Sequence, residues 1–589
     1  PYVLVDGVEQ SLQNVNAADI ESITVLKDAS ASSVYGARAA YGVVIVTTRS
    51  GSEGPAKVSY RGTVGYTSPI NMPRMMTSSQ FAGYMDEMRT NVGATPIFTE
   101  SVLKQIEGFA ADPYSETYPG VGVNANGDNW ASSYYTQYAC TDWFDYYFKD
   151  RSLRQSHNLS ISGGNRKIRY YLGAGYMYQN GLMDHVKDEL DKYHVNIRLA
   201  FQPKQWLSFS VSNNATVTVL DRPLANQTIF YAQISDKYPT QAVILPIDSD
   251  YDIPSWNEVM YLKATSFNRA SISDAMTLSV TVTPLDGWDI TADMKGRLDV
   301  QNNSFIMGFP KTTLPTGKVV TTTGGKQGYQ YPGMHWKNTS FGSFTKGQMF
   351  NYYLSPSLST SYTSQWGSHY FKAMAGFQAE LQENSSGYTY KDGMLSEDVF
   401  SFANANGTVT AGEARTHWAT MGFYGKVNWN WNEVVFVEAG GRADGSSRFA
   451  SGHRWGEYFK AADTPFSQLK VRVSYGRLGN QSGAGLYSYL AVMSLNPSHA
   501  DAWLLPGTSS EPSKGTVAMT PAMVSPYITW EKVDNADIGL DISAFDSRLN
   551  LSFDAYQRTT RDMIGPAEAI PSIGGIAAGE RAKVNNATL

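Results

Sequence analysis

Over most of its 589 residues the chain alternates apolar and polar residues with a period of two. One segment puts Ile168, Tyr170, Leu172, Ala174, Tyr176 and Tyr178 on one face. The other face holds Arg169, Tyr171, Gly173, Gly175, Met177 and Gln179. Tyr193 to Phe201, Leu207 to Val211, Met276 to Val282, Trp288 to Val300, Ile538 to Ile542 and Leu549 to Ala555 repeat the pattern. Successive side chains of a strand point to opposite faces, so each segment reads as a strand with one apolar face. About a dozen such segments recur, many near the ~9–11 residues that a tilted strand needs to cross a bilayer. The second face is polar and often tiny, which suits a wet or plugged lumen. In lipid such a sheet must close, because an open edge leaves backbone groups unpaired at several kcal/mol each.

Composition agrees with strands that face lipid. Charged residues are 17%, against roughly 25% in soluble domains. Aromatics are 13%, and Gly numbers 52. Mean hydropathy is −0.31, and no uncharged apolar run approaches the roughly 18 residues of a transmembrane helix. A transmembrane barrel reconciles these facts, since alternation averages to neutral. A net charge of −6 argues against a nucleic-acid partner. The single cysteine, Cys140, excludes an internal disulfide and a Cys-based metal cluster.

Connections alternate in length. Gly287 and Phe545-Asp546-Ser547-Arg548 read as tight turns, whereas 214–274, 301–345 and 382–417 read as long loops. Short turns at one rim and long loops at the other mark an outer-membrane barrel. A soluble solenoid would repeat at a fixed spacing of about 20–50 residues, and none is seen. Residues 77–155 read as irregular, with a helical stretch over Gln80–Met88 and a Tyr/Asn/Gly-rich loop from Pro113 to Tyr138.

Residues 1–51 differ from the rest. Asp19 to Thr48 reads as strand, short Ala/Ser-rich helix, Gly turn and strand. Leu26-Lys27-Asp28-Ala29-Ser30-Ala31, Tyr35-Gly36-Ala37-Arg38-Ala39-Ala40 and Gly42-Val43-Val44 stand in it, with Tyr2-Val3-Leu4-Val5-Asp6-Gly7 upstream. This segment resembles the end of the plug domain of TonB-dependent outer-membrane transporters, in the SusC-like branch. Gly441-Arg442-Ala443-Asp444-Gly445, Leu469-Lys470-Val471-Arg472 and Thr529-Trp530-Glu531-Lys532 continue the resemblance in family order. The resemblance implies an all-β membrane protein, a large antiparallel transmembrane barrel of about 22 strands in the family, with the C-terminal part of an α+β plug in its lumen. On this reading 1–51 is the plug part and 52–589 an incomplete barrel with long extracellular loops. The N-terminal part of the plug and the last barrel strands are then missing. Between Gly456 and Leu469 a strand expected from the family also reads as missing, either lost with a partner strand or left out of this sequence. Omission is favoured, because a single lost strand would break the up-down order.

No catalytic constellation emerges. The histidines lack metal spacing. Asp248-x-Asp250-x-Asp252 starts like a calcium loop but has Ile253 and Val259 where Gly and Glu are needed. No metal and no cofactor is expected, and no enzyme activity. The plug charges Glu21, Lys27, Asp28 and Arg38 read as ion pairs within the plug or to the barrel wall, or as ordinary caps and surface pairs. Asp19 and Asp28 suit capping, and Gly36 and Gly42 suit tight turns. Asp6, Gly7 and Tyr35 complete the plug motif. Trp130, Tyr134, Tyr135 and Tyr138, and Tyr329, Tyr331 and Trp336, form aromatic loop clusters. Flat rings stack on sugar faces, but the same rings suit an interfacial girdle or a partner protein.

Three functions follow. The resemblance implies TonB-dependent import of glycan fragments across the bacterial outer membrane, with a SusD-like lipoprotein lid. Energy would come from a TonB–ExbB–ExbD complex through a TonB box upstream of this chain. It also implies a Bacteroidetes-type source. Peptide import by the same machinery is the second reading. A passive adhesin or structural barrel is the third, and it predicts a chain without a plug.

Overall fold

The computed structural model describes residues 2–26, 38, 42–123, 125–127, 130, 137–224, 234–242, 259–321, 326–327, 339–432, 435–465, 469–491, 493, 495–496, 504–505, 513–514, 517–518, 523–544, 549–567 and 581–589. Two sheets organise it. The first is small: β1 (Tyr2–Val5), β2 (Val8–Glu9), β3 (Ile20–Leu26) and β4 (Val43–Thr48) in the order β2-β1-β4-β3. β1 runs parallel to β4, and the other pairs are antiparallel. Asp6 and Gly7 close the β1–β2 hairpin with φ of 47° and 85°, the left-handed pair that a two-residue Asp-Gly turn requires. Gly42, at φ 86°, enters β4 where a Cβ would lie 2.9 Å from the Leu26 carbonyl.

The second sheet has fifteen strands. They are β5 (Gly54–Thr67), β6 (Ser152–Gly164), β7 (Ile168–Asn180), β8 (Glu189–Lys204), β9 (Leu207–Arg222), β10 (Thr265–Leu285) and β11 (Trp288–Met307). β12 (Ser343–Trp366), β13 (His369–Lys391), β14 (Thr410–Trp431), β15 (Val435–Ser446), β16 (Trp455–Pro465), β17 (Leu469–Asn480), β18 (Glu531–Ala544) and β19 (Leu549–Arg561) follow. Each is antiparallel to its predecessor, from β5 at one edge to β19 at the other. The apolar parity points outward: Leu172, Val195, Ile197, Leu199, Leu278, Met294 and Leu358 are all exposed. No described helix is long and apolar enough to cross a membrane.

Two expectations are corrected here. Residues 455–465 form a full strand, β16, paired with both β15 and β17. No strand is missing there and the up-down order is unbroken. The Glu457–Asp463 run lacked clear alternation, and pairing with two neighbours supplied what periodicity did not. The long loops are also shorter than the sequence indicated, spanning 223–264, 308–342 and 392–409. β12 and β13 reach 24 and 23 residues, beyond what a bilayer needs. Only the membrane-level part of such a strand requires an apolar face, so its polar extension reads as loop.

The connections 165–167, 205–206, 286–287 and 367–368 gather at one rim. At the other rim, loops pack on one another. Trp143, Phe144 and Tyr147 of helix α3 (Trp143–Tyr147) bury with Ile234 and Leu262. The expected helical stretch is α1 (Ser78–Asn91), capped by Thr77 and Gln80. A second helix, α2 (Glu100–Ala111), buries Ile106 and Phe109. Its apolar face, Val102, Leu103, Ile106 and Phe109, has helical spacing, a signal that the reading of 77–155 as largely irregular passed over.

Candidate functional site: the plug against the barrel wall

The polar parity of the strands meets the small sheet at three places. At the first, the hairpin tip is held by its own turn residue. The Asp6 carboxylate accepts from Thr48 N at 3.0 Å, Thr48 Oγ1 at 2.6 Å and Ser212 Oγ at 3.0 Å. Arg198 lies 3.3 Å from it and donates to the Thr48 carbonyl. Thr277 Oγ1 donates to the Asp6 carbonyl at 3.2 Å. A Cβ on Gly7 would stand 3.2 Å from Lys295 Cε, so the turn rests on that side chain. Charge-assisted bonds of this kind are roughly twice as strong as neutral ones.

At the second place, Asn16 caps the turn Ala17–Asp19 and also donates from Nδ2 to Asn158 Oδ1 at 2.7 Å. Asp19 is therefore not the cap, contrary to expectation. Its Oδ1 instead accepts from Tyr171 OH at 2.5 Å. Burial raises its pKa, against the opposing effects of the Tyr171 bond and of Arg49. Thr216 Oγ1 donates to the Asn14 carbonyl at 2.7 Å. The approach is possible because β7 carries glycines here. A Cβ on Gly173 would lie 2.5 Å from Asp19 Oδ1, and one on Gly175 2.6 Å from Asn16 Nδ2.

At the third place, Arg38 is clamped. Its guanidinium pairs with Glu9 and lies 3.5 Å from Glu380. It stacks between the Tyr2 ring at 4.6 Å and the Trp418 ring at 5.0 Å. Glu380 also accepts from Tyr2 OH at 3.1 Å, Tyr353 OH at 2.6 Å and Thr420 Oγ1 at 2.9 Å. Burial opposes the charge on Arg38, but Glu380, Tyr2 and Glu9 together hold its pKa above the ordinary value. Burial and the Glu380 charge push the Tyr2 hydroxyl well up, so it stays a donor. Val8 packs against Ala275, Tyr353 and Trp418 at the same level.

Beside the first place lies a polar cavity of about 500 Å³, lined by Asp6, Glu21, Arg169, Arg198, Ser279 and Lys295. Of the expected plug residues, Asp6, Gly7, Asp19 and Arg38 thus touch the wall directly. Glu21 faces the cavity and Gly42 shapes the turn. Lys27, Asp28, Tyr35 and Gly36 lie outside the described residues, as do Tyr134, Tyr135, Tyr329, Tyr331, Trp336 and the Asp248–Asp252 run. Trp130 packs on a loop cluster with Phe109 and Val121, and Tyr138 on another with Phe98 and Ile106. The wall partners Tyr171, Arg198, Tyr353, Glu380 and Trp418 were not singled out from sequence. Glu380 left one trace: it is an acidic residue on the polar parity of a membrane-length strand, a position that by its cost points to a specific partner.

The TonB dependent receptor-like beta-barrel family model matches residues 205–587. The TonB-dependent receptor plug domain model matches residues 1–43. The TonB-dependent receptor SusC of Bacteroides thetaiotaomicron is 24% identical over 95% of this chain and 52% of its own length. The TonB-dependent receptor P26 of Formosa agariphila is 23% identical over 95% of this chain and 52% of its own. The chain spans about half the length of the curated relatives it matches. The RagAB peptide importer in its closed-closed state superposes with a TM-score of 0.75 at 21% identity, over 100% of this chain and 64% of that one. With a plug sheet bonded to the polar parity of a fifteen-stranded antiparallel sheet, the chain belongs to the TonB-dependent receptor family of outer-membrane β-barrel proteins, in its SusC-like branch.

Proposed function

We propose that this chain works in TonB-dependent active import of glycan fragments across the bacterial outer membrane, under a SusD-like surface lipoprotein. The observation that carries the import reading is the plug held to the wall by Asp6, Asp19 and Arg38. Each contact is polar and each can be exchanged for water, so the plug can be displaced and can return. A passive barrel needs no such removable contact. Residues 1–51 act as the closing element and the strands from β5 onward as the selective wall. Energy enters from a TonB–ExbB–ExbD complex through a segment upstream. No bond of the cargo is made or broken, so no enzyme activity belongs to this reading.

The glycan reading rests on the cargo that the SusC-like resemblance implies. A second reading, peptide import, is supported by the fold shared with the RagAB peptide importer. Uptake of labelled glycan fragments and of labelled peptides, by cells carrying or lacking the protein, separates the two. Glycan uptake that requires the protein and stops when the inner membrane is de-energised is the expected result. Protein-dependent uptake of peptides alone transfers the reading to peptides. Equal uptake with and without energisation removes active import.

A further inference from the structure

We infer that Arg448, in the connection between β15 and β16, is a carboxylate-binding residue for cargo. It stands on the same tryptophan that the plug's Arg38 stacks on. This inference rests on the import reading above.

Two guanidiniums flank Trp418: Arg38 at 5.0 Å and Arg448 at 5.5 Å. Their situations are opposite. Arg38 is matched by Glu9 and Glu380. Arg448 donates from Nη1 to the Ala484 carbonyl at 3.3 Å, and its buried Nε has no hydrogen-bond partner. Among the described residues no carboxylate pairs with it. Burial, and secondarily the positive charge of Arg38, disfavour its charge.

An arginine half-withdrawn from water without a counter-charge is costly unless something supplies the anion. The loop that carries it is held in place. Phe449, the next residue, is buried against Trp530 and Ile528. The Arg448 amide donates to Ser446 Oγ at 3.3 Å, and that hydroxyl donates to Gln481 Oε1 at 2.7 Å. The backbone that carries the guanidinium is thus held, and a planar guanidinium without an acidic partner suits a carboxylate. Trp418 is itself buried beneath the two guanidiniums, so it backs Arg448 and does not face cargo. The chemistry fits a uronate of an acidic oligosaccharide or the free C-terminus of a peptide.

The test is calorimetry on the full-length transporter with matched probes: an oligogalacturonate against its methyl ester, and a short peptide acid against its amide. A charge-assisted bond predicts that the acid of one pair binds about tenfold or more tightly than its neutral partner. In R448Q the difference falls to within twofold. In R448K, which keeps the charge without the fork, part of it returns. R415Q, on the exposed Arg415 paired with Glu413, keeps the full difference. The pair that shows the preference identifies the source of the carboxylate. An acid preference that survives in folded R448Q, or no preference in wild type for either pair, overturns the assignment. Uptake of neutral probes by the same cells tests import separately, so loss of all uptake speaks against import and not against Arg448.

Discussion

Glu380 holds the plug through Tyr2 and Arg38, and Tyr353 and Thr420 of the wall hold Glu380 in turn. It is 8% exposed. Removing it leaves Arg38 buried with one partner fewer, and breaking a buried pair costs about 3–5 kcal/mol. Glu380→Ala is therefore expected to lower protection of the β1 amides in hydrogen exchange by that amount, with the barrel amides unaffected. Gly173→Val should act through shape instead. Its added side chain meets Asp19 at 2.5 Å, and overpacking of about 1–3 kcal/mol should displace the 16–19 turn, visible as new protease cleavage there. Asp19 makes a pH prediction. Burial raises its pKa in the docked plug, so the docked state holds the proton more tightly than a released plug. Docking therefore gains as pH falls from that raised value toward the ordinary value of about 3.9, and loses as pH rises through the window. Hydrogen-exchange protection of residues 16–26 should follow this slope, and Asp19→Asn should flatten it. Arg38, Asp6 and Gly42 could be picked from sequence because they sit in a recurring motif. Tyr171, Trp418 and Arg198 could not, because each looks like any polar-face residue of a strand until the plug is laid against it.

At the scale of the element, the strands carry two environments end to end. On β12 the outward residues Leu354, Leu358, Tyr362 and Trp366 are exposed and apolar, and they mark the lipid belt. The remainder of the 24-residue strand rises beyond it. A charge at the belt is expensive and a charge on the extension is not. Leu358→Arg should therefore cost about 2–4 kcal/mol, and Thr389→Arg, high on β13, about 0–1, measured by denaturant unfolding from vesicles. Equal costs would mean that the belt extends farther up than its apolar faces indicate. Alternation in the sequence located the belt well. It did not locate the strand ends, since polar extensions obey no period that separates them from loops. β16 shows the same blindness inside the sheet.

At the scale of the molecule, the question is whether the plug must leave the wall for cargo to pass. Asn16 and Asn158 approach to 2.7 Å through their side chains, which makes them a site for a reversible tether. With the exposed Cys140 replaced by Ser, Asn16→Cys with Asn158→Cys should be joined by a short, reducible dithiol cross-linker that spans the gap the amide tips now fill. Cross-linked cells are expected to stop uptake and reduced cells to recover it. Full uptake by the cross-linked protein would mean that this end of the plug stays in place during transport.

The alternation, the low charge and the plug-like motif were enough to establish a plugged transmembrane barrel of the SusC-like kind, because periodicity is local and lipid imposes it on every strand. Which plug group meets which wall group was decided by the tertiary structure alone. Arg38 and Trp418, or Asp19 and Tyr171, come from distant parts of the chain and meet only where the large sheet lies against the small one. A polar contact across a lumen leaves no periodic trace in either segment. The charge of Arg448, unmatched among the described residues, likewise appears only once its surroundings are assembled, since an arginine in a loop is ordinary in sequence.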